Sequence, residues 1–190
     1  MACSQILKEE TKRLHAKTEA ALVPKLKRIK NRQDLVNLLH LFYSFYSPVE
    51  NKIFKHLSNN WLPGYKERIK SHVISACLRN LGDDSKLNFS PATPLINNCT
   101  QAFGALYVLE GSTMGGQIIA RMLKANLPGD VSDDCLAFFT IYGDNTIPMW
   151  TSFKDNLDNR FTRKDDVTSV VNTANETFLK FENWILNYES

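Results

Sequence analysis

Apolar side chains recur with the three- and four-residue spacing of an α-helix in one segment of this chain after another, and long stretches of strand-like alternation are absent. Such stripes are buried when helices pack against one another, so the pattern predicts an all-α fold. At 190 residues the chain can bury a substantial core in one domain. It contains neither an internal repeat nor a linker, and we expect one helical domain over residues 1–190.

Proline and glycine divide the predicted helices in the first half of the chain. Pro24 should end the first helix and Pro48 should kink the second, because proline lacks the N–H that an interior helical turn requires. Gly82 is placed to end the third helix. Residues 83–94 are polar and contain two prolines, so they are predicted to form a loop.

Capping residues mark the helices of the second half. Thr93 and Pro94 have the sequence of an N-cap followed by proline at the first helical position. The helix that they begin should stop before Pro128, and Ser132 should begin another that ends at Gly143. The predicted helices are residues 3–22, 33–58, 65–81, 94–124, 132–143, 148–160 and 164–188.

The composition is that of an ordinary soluble globular protein, with 43% hydrophobic and 23% charged residues. No run of about 18 apolar residues could span a membrane, and we expect no secretory signal. Four widely spaced cysteines without a CxxC pair argue against a zinc site and a disulfide framework, so we expect free thiols in a reducing cytoplasm. They are Cys3, Cys77, Cys99 and Cys135.

Positive charge is concentrated near the N-terminus. Residues 1–32 carry nine Lys or Arg against three Glu, a net charge of +6, whereas the whole chain has +3, which leaves −3 for residues 33–190. A basic region can attract an anionic ligand or an acidic protein, although most such runs are solvated helix faces. No aromatic residue lies among these charges, and we expect no nucleic-acid partner.

One predicted helix has a face without side chains. Gly104, Gly111 and Gly115 are separated by seven and four residues, so they share a face at 3.6 residues per turn, and Gly116 lies beside them. Each glycine inside a helix costs about 1 kcal/mol relative to alanine. The pattern therefore indicates that another backbone or a ligand approaches closely, and the sequence leaves both open. The Gly115–Gly116 pair also permits a bend across a flat ligand.

A second segment supplies a candidate metal ligand. Lys8, Lys12, His15 and Glu19 are separated by four, three and four residues and form one stripe of the first helix. Imidazole is a good iron ligand at neutral pH. The lysines are placed to meet carboxylates on a ligand, and Glu19 to accept a hydrogen bond from the second ring nitrogen. The alternative for His15 is an ordinary surface histidine, which is the more frequent case for a lone histidine.

Other familiar sites are absent from the sequence. The remaining histidines, His40, His56 and His72, have no comparable setting and no carboxylate at metal-binding spacing. The sequence also lacks a P-loop, a GxSxG nucleophile elbow and a GxGxxG dinucleotide fingerprint. We therefore expect neither a covalent nucleophile nor a nucleotide site.

The two segments together resemble the heme oxygenases, and especially the bacterial branch associated with phytochromes. The matching patterns are Lys-x-x-x-Lys-Arg-Leu-His-x-x-x-Glu at 8–19 and Tyr-Val-Leu-Glu-Gly-Ser-x-x-Gly-Gly-Gln at 107–117. Their order, their separation, the chain length and the helical pattern also match, so the resemblance covers nearly the whole chain. It implies a single α-helical domain that holds heme between a proximal and a distal helix.

The resemblance implies a reaction and the residues on the proximal side. His15 would be the proximal iron ligand, and Lys8 and Lys12 would lie near the heme propionates. The implied reaction uses O2 and electrons from an external reductant to open the macrocycle, giving biliverdin, ferrous iron and carbon monoxide. Heme is then both cofactor and substrate.

On the distal side, the resemblance places Gly111, Gly115 and Gly116 over iron-bound dioxygen. Many heme oxygenases have aspartate after the first distal glycine, where it orders a water network that protonates bound peroxide. This chain has Ser112 there, and a hydroxyl can hold a water but supplies no carboxylate. Gly111, Ser112 and Gly115 are the expected catalytic positions.

The resemblance also suggests further contacts with the heme. Basic residues on a helix after the distal one often meet the propionates in this family. Lys154 is the expected match, and Arg160 and Arg163 are alternatives. Tyr107 and Phe178 are candidates for lining the pocket, and ordinary core positions are the alternative for both.

The enzyme is the leading hypothesis, and two alternatives remain open. A heme carrier or sensor of the same fold would leave the ring intact, and serine in place of aspartate favours it. A helical protein for a different ligand would give no Soret shift with heme. For the enzyme, the basic N-terminal region would suit an acidic ferredoxin or flavoprotein as electron donor, and a phytochrome would accept the biliverdin.

Overall fold

The computed structural model describes residues 1–85, 89–90, 92–129 and 131–188. All regular secondary structure in these ranges is helical, which confirms the predicted fold class, and no helix among them has the length and apolar content of a membrane span. Of the predicted loop 83–94, residues 86–88 and 91 lie outside the described residues. In chain order the helices are α1 (Cys3–Arg28), α2 (Arg32–Ile53), α3 (Ser71–Asn80), α4 (Cys99–Gly111), α5 (Thr113–Asn126), α6 (Thr146–Arg160) and α7 (Lys164–Asn187), with short 3-10 segments at Tyr65–Arg68, Asp133–Leu136 and Gly143–Asn145.

Helix α4 is the buried centre of this arrangement. Every residue from Ala102 to Glu110 is buried. Helix α4 packs along α7 and also against α2, while α7 packs along α1. The core therefore lies around α4.

Helix α1 is longer than predicted, because it continues through Pro24 for another turn instead of ending before it. Beyond the proline, Leu26 and Ile29 are buried, and Lys25 Nζ donates to Tyr188 O at 3.1 Å. These contacts with the rest of the protein compensate for the helical hydrogen bond that proline cannot make.

Helix α2 begins with a capping box, one residue before its predicted start. The Asn31 side chain accepts from Asp34 N at 2.9 Å, and the Asp34 carboxylate accepts from Asn31 N at 3.2 Å. Pro48 lies inside the helix, as predicted. The helix ends at Ile53, earlier than the predicted residue 58.

The helix predicted over 65–81 is divided into a single 3-10 turn and the helix α3. A carboxylate from α2 explains the restart. Lys70 N donates to Glu50 Oε1 at 2.7 Å and Ser71 N donates to Glu50 Oε2 at 3.0 Å, so Glu50 caps the start of α3. At the other end, Gly82 has φ +72°, the left-handed conformation that its predicted capping position requires.

The helix predicted over 94–124 begins later. Asn98, and not Thr93, caps α4, because Asn98 Oδ1 accepts from Gln101 N at 2.9 Å. The Thr93 hydroxyl instead accepts from Lys52 Nζ at 2.5 Å, which ties the preceding non-helical segment to α2. Tertiary contact thus overrides the local capping signal.

The same predicted helix is also interrupted at Ser112, which separates α4 from α5. Ser112 Oγ donates to Leu109 O at 2.7 Å, and Thr113 Oγ1 donates to Glu110 O at 2.7 Å. Hydroxyls that bond back to helix carbonyls in this way bend helices. The bend that the Gly115–Gly116 pair permits lies instead about one turn earlier.

The helix predicted over 132–143 does not form, because a 3-10 turn at Asp133–Leu136 is followed by irregular turns. Phe138 and Phe139 explain this path. Both are buried, and both rings pack against Phe42, at 5.1 and 5.8 Å between centroids. Consecutive side chains of an α-helix point about 100° apart, so a helix would turn one of these rings away from their shared partner.

Helices α6 and α7 lie close to their predicted ranges of 148–160 and 164–188. Pro148 lies in the first turn of α6, where its missing N–H is not needed. The apolar stripe of α7 is buried against α4 and α1. Its buried residues include Val170, Val171, Ala174, Phe178, Phe181 and Ile185.

Candidate functional site

A cavity of about 580 Å³ lies between α1, α2, the junction of α4 and α5, α6 and α7. This volume is in the range of about 300–1,000 Å³ that is typical of small-molecule sites. Its lining is mostly apolar and aromatic, with polar groups on α1 and at the α4–α5 junction. The aromatic lining residues include Phe42, Tyr107, Phe138, Trp150, Phe178 and Phe181.

His15 lines this cavity from α1, and its side chain is 52% exposed. His15 Nδ1 lies 3.6 Å from Glu19 Oε2, close to this carboxylate but beyond hydrogen-bond distance. The His15 ring also packs edge-on against Phe178, with 5.6 Å between ring centroids. Nδ1 therefore faces Glu19, and among the described residues Nε2 has no hydrogen-bond partner.

Of the two lysines predicted to flank the site on α1, the structure brings only Lys8 to the cavity. Lys12 is exposed and is not among the lining residues. Lys154 reaches the cavity from α6, where its Nζ lies 5.9 Å from the centre of the Trp150 ring. Lys8 and Lys154 are thus the cationic side chains that line it.

The two alternatives to Lys154 lie elsewhere. Arg160 Nη2 donates to Asn60 O at 2.5 Å, and its guanidinium lies 5.4 Å from the centre of the Trp61 ring. Arg163 immediately precedes α7 and does not line the cavity.

Two of the four glycines make room for protein backbone. A Cβ at Gly104 would collide with the carbonyl oxygen of Val170 on α7 and would lie 3.0 Å from Thr173 Cβ. A Cβ at Gly116 would collide with the carbonyl oxygen of Phe139 and would lie 3.1 Å from its carbonyl carbon. Gly116 also borders the cavity, but close packing of backbones accounts for both glycines.

The other two glycines have room for a side-chain carbon. A Cβ at Gly115 would have no heavy atom within 4 Å, and Gly115 lines the cavity. A Cβ at Gly111 would lie 3.7 Å from Trp150 Cη2, an ordinary contact distance. Gly111 and Gly115 therefore form the bare edge of the cavity, which we call the glycine edge.

Ser112 lies between these two glycines, and its hydroxyl both accepts and donates a hydrogen bond. Tyr46 OH donates to Ser112 Oγ at 2.9 Å, and Ser112 Oγ donates to Leu109 O at 2.7 Å. Burial raises the pKa of Tyr46 well above its ordinary value near 10, so this phenol stays protonated and remains the donor. Tyr46 is missing from the sequence-based site because it looks like one more residue of the apolar stripe of α2.

A group of buried charges lies directly beside the glycine edge. Arg68 Nη1 donates to Glu110 Oε2, and Lys70 Nζ donates to Glu110 Oε1. These three side chains are at most 1% exposed, as is Glu50, which accepts from Lys70 N. We call Arg68, Lys70, Glu50 and Glu110 the buried charge cluster. Two cations and two carboxylates balance in it, as buried charges require.

Tyr142 completes the hydrogen bonds around Glu110. Tyr142 OH donates to Glu110 Oε1 at 2.8 Å, and burial together with the neighbouring Glu110 charge raises the pKa of this phenol well above its ordinary value. The sequence does carry one signal for this cluster, because Glu110 is a lone carboxylate at the end of the buried run 102–110. Arg68 and Lys70 carry no local signal.

A sequence profile of the family described as heme oxygenase matches residues 92–187, which span α4 to α7 but not the helix that carries His15. A heme oxygenase from Xanthomonas campestris pv. campestris (strain 8004) is 27% identical to this chain over 133 residues, which cover 67% of this chain and 77% of that protein.

Solved structures of heme oxygenases have the same fold. The enzyme from Leptospira interrogans aligns with a TM-score of 0.76 at 17% identity, over 99% of this chain and 100% of that one. The NO- and CO-bound heme oxygenase from Neisseria meningitidis aligns with a TM-score of 0.77 at 18% identity, over 97% and 90%. Heme oxygenase-1 from the cyanobacterium Synechocystis, in complex with heme, aligns with a TM-score of 0.77 at 16% identity, over 97% and 91%.

Proposed function

The chain belongs to the heme oxygenase family, and on that premise we propose that it is an active enzyme of that family. It binds heme in the cavity and uses O2 and electrons from an external reductant to open the ring, giving biliverdin, ferrous iron and carbon monoxide. Residues 1–190 form the one domain that does this. The observation that carries the proposal is that His15 and the unobstructed Gly115 line the same apolar cavity.

The residues of the cavity fit a flat, largely apolar ligand with charged edges. Aromatic side chains line most of its wall, and a macrocycle would bury its faces against them. Lys8 and Lys154 supply the positive charges that two propionates would meet. Lys12 does not fit this role, because it is exposed and does not line the cavity.

His15 is the residue that would hold the iron. When bound, heme supplies an iron that activates dioxygen, and its ring is the group that is oxidised. Because Nδ1 faces Glu19, Nε2 is the ring nitrogen left for the metal, and the carboxylate favours the tautomer with the proton on Nδ1. A hydrogen bond from Nδ1 to this carboxylate would make the imidazole a stronger electron donor.

The glycine edge would leave room for a small ligand on the other face of the heme. Gly115 has no side chain to occupy that space, and even a Cβ at Gly111 would lie 3.7 Å from Trp150 Cη2. Ser112 would order a proton donor there. Its proton points to Leu109 O and it already accepts from Tyr46, so one lone pair remains to accept from a water. That water would then be the group that delivers a proton.

A non-catalytic heme carrier or sensor is the second candidate, and the geometry of Ser112 favours it. The hydroxyl proton is committed to Leu109 O, so Ser112 itself has none to give in this arrangement. A carrier would need His15, Lys8 and the apolar wall, but it would make no use of a proton donor at the glycine edge.

The first experiment is an anaerobic heme titration followed by air and a reductant, with the absorption spectrum recorded throughout. The enzyme predicts a stoichiometric Soret complex that decays into the broad red band of biliverdin, with one carbon monoxide released for each heme. A complex that only reduces and reoxidises identifies a carrier or sensor. Absence of a complex refutes heme binding.

Substitution of Gly115 tests the glycine edge. Gly115→Leu should prevent carbon monoxide from binding to the ferrous complex, because the leucine would fill the open space, whereas Gly115→Ala should leave binding nearly unchanged. Carbon monoxide difference spectra measure both. Unchanged binding in the leucine variant would mean that this space does not face the iron.

We also propose the partners that the reaction needs. Lys12, Arg13 and Lys17 are exposed on α1, and an acidic ferredoxin or flavoprotein would dock against them to deliver electrons. A phytochrome is the proposed acceptor of the biliverdin, and the cytoplasm is the proposed location, since it keeps four free thiols reduced. Reduction by a ferredoxin should slow with rising salt, and Lys12→Glu with Lys17→Glu should slow it at low salt. Salt-independent reduction would contradict this docking surface.

A further inference from the structure

The buried charge cluster calls for an explanation other than stability. Arg68, Lys70, Glu50 and Glu110 are at most 1% exposed, so all four have lost nearly all contact with water. Replacing buried ion pairs by apolar side chains of similar volume is often neutral or stabilising, because the loss of hydration offsets the attraction. What such a cluster does supply is a fixed geometry, since each charge must keep its partners.

Arg68 connects the two segments that form the cavity wall on this side. Its Nη1 donates to Glu110 Oε2, and Glu110 directly precedes Gly111. Its Nη1 and Nη2 also donate to Met149 O, at 3.2 and 3.3 Å, and Met149 directly precedes Trp150. Gly111 and Trp150 are the residues that meet across the wall of the cavity.

We propose that Arg68 and Glu110 are positioning residues, which clamp the end of α4 to the start of α6 and thereby set the separation of Gly111 and Trp150. A planar guanidinium suits this task, because it donates in fixed directions to two acceptors at once. The proposal rests on the proposed function in one respect: the separation determines how closely the glycine edge lies against a bound heme.

Lys70 belongs to the same cluster but has a different connection. Its Nζ donates to the other oxygen of Glu110, Oε1, which also accepts from Tyr142 OH, and it lies 5.5 Å from the centre of the Tyr142 ring. It also donates to Arg68 O at 3.1 Å, and its hydrogen bonds among the described residues do not include one to Met149. The two cations therefore offer a comparison in which charge is matched and the hydrogen bonds to Met149 are lost with Arg68 alone.

The experiment compares two double variants, Arg68→Met with Glu50→Gln and Lys70→Met with Glu50→Gln. Each removes one cation and one carboxylate charge, but only the first removes the fork between residues 110 and 149. The first readout is the 19F resonance of Trp150 in the heme-free protein labelled with 5-fluorotryptophan, assigned through Trp150→Phe. The second is the Kd for zinc protoporphyrin, which binds without being degraded, measured by fluorescence.

The clamp predicts a shifted and broadened Trp150 resonance and about tenfold weaker zinc protoporphyrin binding in the Arg68 double variant. The Lys70 double variant should keep the wild-type resonance and a Kd within about twofold of wild type. If the Arg68 double variant does not fold, Arg68→Lys replaces it, because lysine keeps the charge but lacks the two-pronged fork. Equal effects of the Arg68 and Lys70 changes would overturn the proposal.

A control variant separates positioning from a general loss of stability. Ile74→Ala removes a fully buried side chain of α3 that does not line the cavity, so it should lower the Tm without moving the Trp150 resonance. If Ile74→Ala moves that resonance as far as the Arg68 change does, the clamp is refuted. If the wild-type protein binds no porphyrin, the proposed function fails and the 19F comparison alone decides the clamp.

Discussion

The two walls of the cavity are built in different ways. On α1 the wall consists of side chains that project from an exposed helix surface, with Lys8 two turns before His15 and Glu19 one turn after it. At the α4–α5 junction it consists of bare backbone, which Tyr46 and the buried charge cluster hold in place from behind.

The difference implies that side chains on α1 mainly determine ligand binding, whereas the backbone at the α4–α5 junction mainly determines the shape of the cavity. Changes on the α1 wall should alter ligand binding and leave folding alone, because exposed side chains contribute little to stability. At the α4–α5 junction, a change at Gly116 should alter folding before it alters binding, because backbone lies directly on backbone there. Four predictions test this division, from the largest expected effect to the smallest.

His15→Ala should have the largest effect, and it should fall on binding alone. Removing the partners behind a metal ligand typically costs 10–100-fold in affinity, so loss of the ligand itself should weaken heme binding by more than about 100-fold, or about 2.8 kcal/mol. The histidine-ligated spectrum should vanish, while the free energy of unfolding of the heme-free protein should stay within about 0.5 kcal/mol. His72→Ala, on the exposed face of α3, is the matched control. Survival of the spectrum in the His15 variant would remove His15 from the site.

Gly116→Ala should lower the free energy of unfolding by about 2 kcal/mol, because the new methyl group collides with the carbonyl of Phe139 and α5 must shift. Its neighbour provides the control. Gly115→Ala meets no atom within 4 Å and should be neutral or raise stability by up to about 1 kcal/mol, since alanine favours the helix. Urea denaturation of the two heme-free variants measures both. Equal stabilities would mean that α5 is not seated on the loop at Phe139.

Tyr46→Phe should change the pH dependence of stability. Burial raises the pKa of Tyr46 above its ordinary value near 10, so above pH 10 the unfolded chain loses a proton that the folded protein keeps. The free energy of unfolding therefore falls as the pH rises through this range, and the phenylalanine variant should reduce that slope by up to about 1.4 kcal/mol per pH unit. Denaturation series between pH 9 and pH 11 test this, with pH 7–9 as the internal reference. An unchanged slope would show that Tyr46 titrates alike in both states.

The smallest effect is expected on the α1 wall. Lys8→Gln should weaken heme binding about threefold at low salt, because one exposed charge contributes well under 1 kcal/mol, and the loss should shrink as salt is added. Lys12→Gln should have no effect, because Lys12 lies outside the cavity. Titrations at two salt concentrations compare them. Equal losses would mean that α1 acts through its overall charge and not through a contact at Lys8.

The same division explains what the sequence could predict. Helical periodicity is local, so the fold class and the extent of α7 follow from the sequence alone. The spacing of Lys8, His15 and Glu19 is local too, but by itself it predicts one stripe of α1 and leaves open what that stripe faces. Lys12 shares that stripe but not the cavity, because a stripe spans more of a helix than one ligand covers. Pro24 failed as a helix end because Leu26 and Ile29, farther along, are buried.

The α4–α5 wall depends on contacts between distant residues, and for its glycines the sequence left open whether a ligand or another backbone lies against them. Glycine reports close approach without identifying the neighbour, so Gly104 and Gly116 were grouped with Gly111 and Gly115 although they pack against Val170 and Phe139. Arg68 and Lys70 lie about forty residues from Glu110, and no local pattern joins them.

The contact at Gly104 has a consequence for how a large ligand enters and leaves. Because α4 lies directly on the backbone of α7 at Gly104, no side chain separates the two helices at that point, and the pair should move as a rigid unit. Helix α1 meets α7 through its own side chains, because the His15 ring packs against the Phe178 ring and Thr18 Oγ1 donates to Phe178 O. Helix α1 can therefore separate without breaking a contact between backbones. The rate of ligand entry and release should therefore be limited by the separation of α1 from α7. Amide hydrogen exchange should accordingly be faster along α1 than along α4.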